Sequence, residues 1–130
     1  MPRPPARRPE AREDALQRLY EADQRRSEPS TSGLGRRAAE LVEGVWAERK
    51  ELDAAIEAAS RRWRVERMPA VDRNVIRIAL WELRHHERTP VPVVISEAVR
   101  MAKAYSTERS GTFVNGILAK LASENVAATE

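Results

Sequence analysis

The run Pro69-Ala70-Val71-Asp72-Arg73-Asn74-Val75-Ile76-Arg77-Ile78-Ala79-Leu80-Trp81-Glu82-Leu83 decides how the chain folds. Val71, Val75, Ile78, Ala79 and Leu83 recur at helical spacing and would line one face of a helix. Pro69 stands just ahead of them, where a missing backbone N–H costs a helix nothing. Working outward, the same periodicity appears on both sides. Toward the C-terminus, Ile95, Ala98, Val99 and Ala102 form a stripe after the breakers Pro90 and Pro92, and Phe113, Val114, Ile117, Leu118 and Leu121 form another. Toward the N-terminus, Ala15, Leu16, Leu19 and Tyr20, then Leu41, Val42, Val45 and Trp46, then Leu52, Ile56 and Ala59 predict helices over Ala11–Arg26, Leu34–Arg49 and Glu51–Ala59. The segment Ser27-Glu28-Pro29-Ser30-Thr31-Ser32-Gly33 reads as the linker between the first two. No segment alternates polar and apolar residues between turn signals. The only β-branched run, Val91 to Ile95, is short and interrupted by proline. The expected fold class is all-α.

At 130 residues the chain can bury roughly two-thirds of its unfolded surface. One domain is expected, with two subdomains, about 11–62 and 63–124, sharing a core. With 42% hydrophobic and 33% charged residues the chain is neither membrane-like nor too polar to fold, although residues 1–10 and 27–35 read as locally disordered. The longest uncharged run, Ser110 to Ala119, is about half of what a bilayer-spanning helix needs. No apolar segment precedes a cleavage site at the N-terminus, so the expected location is the cytoplasm. The absence of cysteine excludes a disulfide framework, a thiolate metal site and a Cys nucleophile.

Charge is informative by position. Arg3, Arg7, Arg8 and Arg12 face only Glu10 within the first twelve residues, and the formal excess of +3 resides there, the rest of the chain being balanced. Pro2, Pro4, Pro5 and Pro9 forbid a continuous helix in this arm. A mobile basic strand attracts phosphate through Coulomb forces and counterion release, and arginine adds a fork that grips phosphate or stacks on a base. The plain alternative is a solvated tail in a chain whose Arg outnumbers its Lys throughout. Arg73, Arg77 and Arg84, at i, i+4 and i+11, could extend a phosphate-tracking face, or could pair within their helix with Asp72 and Glu87.

Enzyme chemistry finds little material. The two histidines, His85 and His86, are adjacent and cannot face one another on a helix, so a surface pair near a helix end is expected. No Gly-rich phosphate loop, metal-spaced cluster or Ser/His/Asp arrangement can be assembled, and neither catalysis nor a metal or organic cofactor is expected. Gly116 would lie inside the last helix at a cost of about 1 kcal/mol relative to alanine, for which close approach of a backbone or ligand would compensate.

Several collinear blocks carry a resemblance. Ala11-Arg12-Glu13-Asp14-Ala15-Leu16-Gln17-Arg18-Leu19-Tyr20 is similar to the opening of NusB transcription antitermination factors, and Leu41-Val42-Glu43-Gly44-Val45 resembles their LVxGV block. Trp63 to Leu83 resembles the family's stretch ending in VDRxILRxAxxEL. Ser96-Glu97-Ala98-Val99 with Ala102-Lys103, and Phe113-Val114-Asn115-Gly116-Ile117-Leu118, resemble NEAVxxAK and FVNGxL. The blocks span about residues 11 to 122.

The resemblance implies a compact, non-catalytic fold of about seven helices. It implies a partner, the ribosomal protein also called NusE, and binding of the pair to boxA RNA in nascent ribosomal RNA leaders within the RNA polymerase antitermination complex. Single-stranded RNA is read by stacking and by hydrogen bonds to base edges. The candidate RNA contacts are Arg3, Arg7, Arg8, Arg12, Arg73, Arg77, Phe113 and Asn115, and the candidate partner contacts are Tyr20, Asp72 and Arg109. Each has a plainer reading. Tyr20 and Phe113 lie in apolar stripes and could be core, Asn115 could brace a turn, and Asp72 could serve the helix dipole. Arg109 stands where relatives often carry an acid, which reverses the charge of that contact, and Ser96 stands where Asn is usual.

Two rival functions stay open. A NusB-like module occurs in ribosomal RNA cytosine methyltransferases, where a catalytic domain would follow residue 130, although the chain is expected to end there. The other rival is a structural protein whose helices serve protein contacts, with self-association hiding the RNA surface. A monomer or weak homodimer is expected.

Overall fold

A computed structural model of the chain describes residues 10–61, 63–86 and 88–129, with side chains through residue 124. Among these residues the backbone forms six α-helices and no strand: α1 (Ala11–Arg25), α2 (Arg36–Ala47), α3 (Arg49–Ser60), α4 (Ala70–His85), α5 (Val91–Tyr105) and α6 (Glu108–Thr129). The all-α expectation holds, with six α-helices where about seven were expected. The remaining helical element is a single 3₁₀ turn, Val65–Arg67, that Pro69 stops from growing. No described helix is long and apolar enough to cross a membrane.

The central helix is α4. Its stripe Val71, Val75, Ile78, Ala79 and Leu83 is buried, and so are Ile76, Leu80 and Trp81 on its flanks, because other helices surround it. The rest of the core comes from the stripes legible in the sequence, including Leu16, Leu41, Leu52, Ile56, Met101 and Leu118.

The prolines act as starters. Pro69 and Pro90 occupy the positions before α4 and α5, and Pro92 sits in the first turn of α5, where N–H groups have no helical partner anyway. The last helix begins five residues before its apolar stripe. Thr107 caps it, accepting a 3.2 Å bond from the Ser110 N–H. At the end of α1, Arg26 turns left-handed (φ 54°) and the Ser27 N–H returns to the Ala22 carbonyl, closing the helix without glycine. The linker then folds back along α1, where Arg18 holds the carbonyls of Ser30 and Ser32 at 2.9 and 2.8 Å.

The tight glycine contact lies elsewhere than at Gly116. A Cβ on Gly116 would meet nothing within 4 Å, so no described neighbouring backbone approaches closely there. The contact occurs at Gly44, where a Cβ would collide with the Trp81 indole, so α2 can lie against α4 only through a bare backbone.

Candidate nucleic-acid interface

The helix ends set the candidate surfaces. Arg12 near the start of α1 meets Glu82 near the end of α4, and Asp23 near the end of α1 meets Arg73 and Asn74 near the start of α4. The two helices are therefore antiparallel, and residues 1–9 precede Glu10 at the α4 C-terminal end.

Arg12 is not a free cation. Its guanidinium grips both oxygens of Glu82, at 2.7 and 2.9 Å, and the Glu82 side chain is 0% exposed. The hydrogen bond to Glu82 raises the Arg12 pKa above its ordinary value. Around this pair, Arg100 binds Glu97 and Glu13, and the Tyr105 hydroxyl donates to Glu13 at 2.6 Å. Arg3, Arg7 and Arg8 lie outside the described residues.

Arg73 and Arg77 are likewise engaged. Arg73 binds both Asp23 oxygens at 2.6 and 2.9 Å and the Met68 carbonyl at 2.7 Å, while Arg77 forks onto Asp53 of α3 at 2.7 and 2.8 Å. Burial alone would raise the Asp23 carboxyl. The bonds from Arg73 and Asn74 and the charges of Arg73 and Arg77 outweigh it, and the group sits below the usual carboxylate range. The intrahelical pairing of these arginines with Asp72 does not occur, because Asp72 points toward α6; Glu87 lies outside the described residues. Arg84 is exposed and stands apart from the two engaged arginines.

At the opposite end of α4, three sequence-predicted residues come together. Asp72, Arg109 and Phe113 line a hollow of about 300 Å³ with Trp63, Pro69, Thr107 and Ser110. Asp72 Oδ2 accepts a 2.9 Å bond from the Ser110 hydroxyl, whereas Oδ1 is buried without a partner among the described residues. An unpaired buried oxygen is costly, so an arriving donor would find a strong acceptor. The Trp63 and Phe113 rings lie 5.8 Å apart, tilted by 51°. Trp63 is 47% exposed, and the Ser60 hydroxyl fixes its carbonyl at 2.6 Å. In the sequence Trp63 stands only as a family landmark. Its exposure was not legible, since tryptophan is ordinarily core.

Asn115 is exposed on α6, and Gly116 leaves open surface beside it. Asn115 does not share a face with Phe113, because residues two apart on a helix point to different sides. Tyr20 is half-buried against the core one turn before Asp23, and no contact places it in the hollow. His85 and His86 do form a pair near a helix end, but each bridges to another segment: His85 Nε2 lies 2.7 Å from Glu48, between α2 and α3, and His86 Nε2 2.8 Å from Glu40 of α2. Among the described residues no three His, Asp or Glu side chains could hold a metal ion.

Comparison with known proteins gives a consistent picture. The NusB family profile matches residues 9–123. The chain is 43% identical over 129 residues to the transcription antitermination protein NusB of Heliobacterium modesticaldum, covering 90% of this chain and 63% of that protein, so it spans less than two-thirds of that relative's length. It is 44% identical to the NusB protein of Anaeromyxobacter dehalogenans strain 2CP-1, over 91% of this chain and 92% of the relative. Among solved structures, NusB of T. maritima superposes with a TM-score of 0.79 at 32% identity, covering 88% of this chain and 89% of that one. A protein chain in a crystal structure described as a plectonemic RNA supercoil superposes with the same score at 27% identity, over 89% and 94% of the two chains.

Proposed function

The chain belongs to the NusB family of transcription antitermination proteins, and from that premise we propose that it binds boxA-like single-stranded RNA of nascent ribosomal RNA together with the ribosomal protein NusE, without catalysis. The observation that carries the reading is the hollow at the start of α4. There a buried carboxylate oxygen of Asp72 lacks a partner among the described residues, beside an exposed indole and the cation Arg109.

The roles divide by chemistry. Arg3, Arg7 and Arg8 supply attraction that is independent of RNA sequence. Asn115 reads a base edge, and Phe113 with Trp63 offers an apolar surface on which a base can stack. Asp72 receives a donor from NusE, with Tyr20 and Arg109 on the same contact. Arg12, Arg73 and Arg77 act by holding the helices that present these groups, since their forks are already filled by Glu82, Asp23 and Asp53. The superposition on a chain from an RNA-containing crystal supports the RNA reading.

Replacement tests the division. Arg7→Ala with Arg8→Ala weakens all RNAs alike and lowers the slope of log affinity against log salt by about 0.7 for each phosphate that is no longer neutralised. Asn115→Ala leaves that slope and narrows the gap between boxA-like and scrambled RNA. Asp72→Lys weakens NusE binding by about 1 to 3 kcal/mol. An unchanged slope in the arginine variant, equal weakening of both RNAs by Asn115→Ala, or unaltered NusE affinity in a folded Asp72→Lys protein refutes the corresponding role.

A further inference from the structure

We propose that Arg36, Arg37 and Arg88 form a second phosphate-binding patch that holds the RNA backbone at the end of the molecule where the basic arm joins. The proposal rests on the RNA-binding reading above and extends it to residues which that reading does not use.

The three arginines line a hollow of about 650 Å³ with Glu40, His85, His86 and Thr89. All three are exposed, and none bonds or pairs with a described residue, in contrast to Arg12, Arg73 and Arg77. Glu40 lines the hollow too, but it lies 2.8 Å from His86 Nε2, and the nearby Glu48 lies 2.7 Å from His85 Nε2; neither forms an ion pair with the three arginines.

Helix energetics make their placement unusual. Arg36 and Arg37 are the first two residues of α2, whose opening turn holds no acid and whose capping residue, Gly35, has no side chain. The positive end of a helix disfavours cations, and its free N–H groups favour an anion. A bound phosphate would relieve that repulsion while meeting two arginine forks from α2 and one from beyond α4.

Position selects RNA as the source of the phosphate. Glu82 holds Arg12, two residues after Glu10. His86 lies one turn beyond Glu82 and meets Glu40, which lies one turn beyond Arg36 and Arg37. Patch and arm root therefore share one end of α4. A strand drawn in by Arg3, Arg7 and Arg8 would meet the patch at that same end.

The test measures affinity across a salt series for the full chain, for a variant with Arg36, Arg37 and Arg88 changed to Gln, and for a control with Arg25, Lys50 and Arg61 changed to Gln. The probes are boxA-like RNA, scrambled RNA and inorganic phosphate. The patch variant is expected to lower the slope by about 2, roughly 0.7 for each of three contacts, with equal loss for both RNAs. The control lowers it little. Full-chain binding with an unchanged slope in the patch variant overturns the patch and leaves the RNA reading standing. An equal loss in the control overturns it in favour of net charge. Phosphate binding that depends on the arginines while RNA binding does not overturns the backbone assignment. Failure of the unaltered chain to bind either RNA even with NusE present overturns both readings.

Discussion

Arg12 carries the same side chain as Arg7 and Arg8 but stands in the first turn of α1, with its guanidinium committed to a carboxylate that has no exposure. Removing one member of a buried pair strands the other, which costs about 3 to 5 kcal/mol. Arg12→Ala should therefore lower stability by that much, read as a fall in the urea midpoint at constant denaturant slope, while Arg7→Ala with Arg8→Ala should leave the midpoint in place. An Arg12→Ala protein as stable as the parent would return Arg12 to the arm. Nothing local announced this difference, because the partner Glu82 lies 70 residues away. The same distance effect hid the engagement of Arg73, whose partner Asp23 is 50 residues back. Charges of like kind look alike in a sequence until the fold shows which have a carboxylate opposite them.

The elements themselves were legible, because burial imposes a period that residues must obey. The stripe beginning at Val71 predicted α4 within a few residues, and those around Leu16 and Val45 did the same for α1 and α2. The apolar stripe left the start of α6 open, because Thr107 sets it by hydrogen bonding rather than by an apolar pattern. The close contact of α2 with α4 at Gly44 was hidden for a similar reason, since only the facing Trp81 reveals what that glycine permits. Between α1 and α4 the clasp of Asp23 with Arg73, Arg77 and Asn74 has a pH signature. A carboxyl held below its unfolded value of about 3.9 contributes stability that is complete above that value and disappears as pH falls through the lower folded one. Acid unfolding of the parent should therefore steepen below about pH 4, and Asp23→Asn should lose stability at neutral pH while flattening that acid limb. Parallel stability curves for the two proteins would show that the clasp contributes nothing there.

At the scale of the molecule, the sequence made the basic arm and the family blocks readable, and the fold then sorted the candidate site into two ends of α4. Asp72, Arg109 and Phe113 meet at one end, and the arm root with Arg36 and Arg37 lies at the other. That separation was not legible, because it depends on α1 and α4 running antiparallel. Trp63 joined the site only through its contact with Phe113. An RNA held at both ends would lie along about 24 Å of helix, the length of sixteen residues at 1.5 Å each. The most direct measurement is a titration of the unaltered chain with boxA-like and scrambled RNA at fixed salt, with and without NusE. Tighter binding of the boxA-like strand, strengthened further by NusE, is the predicted result. Equal affinity for both strands in the presence of NusE, or no binding of either, would contradict it.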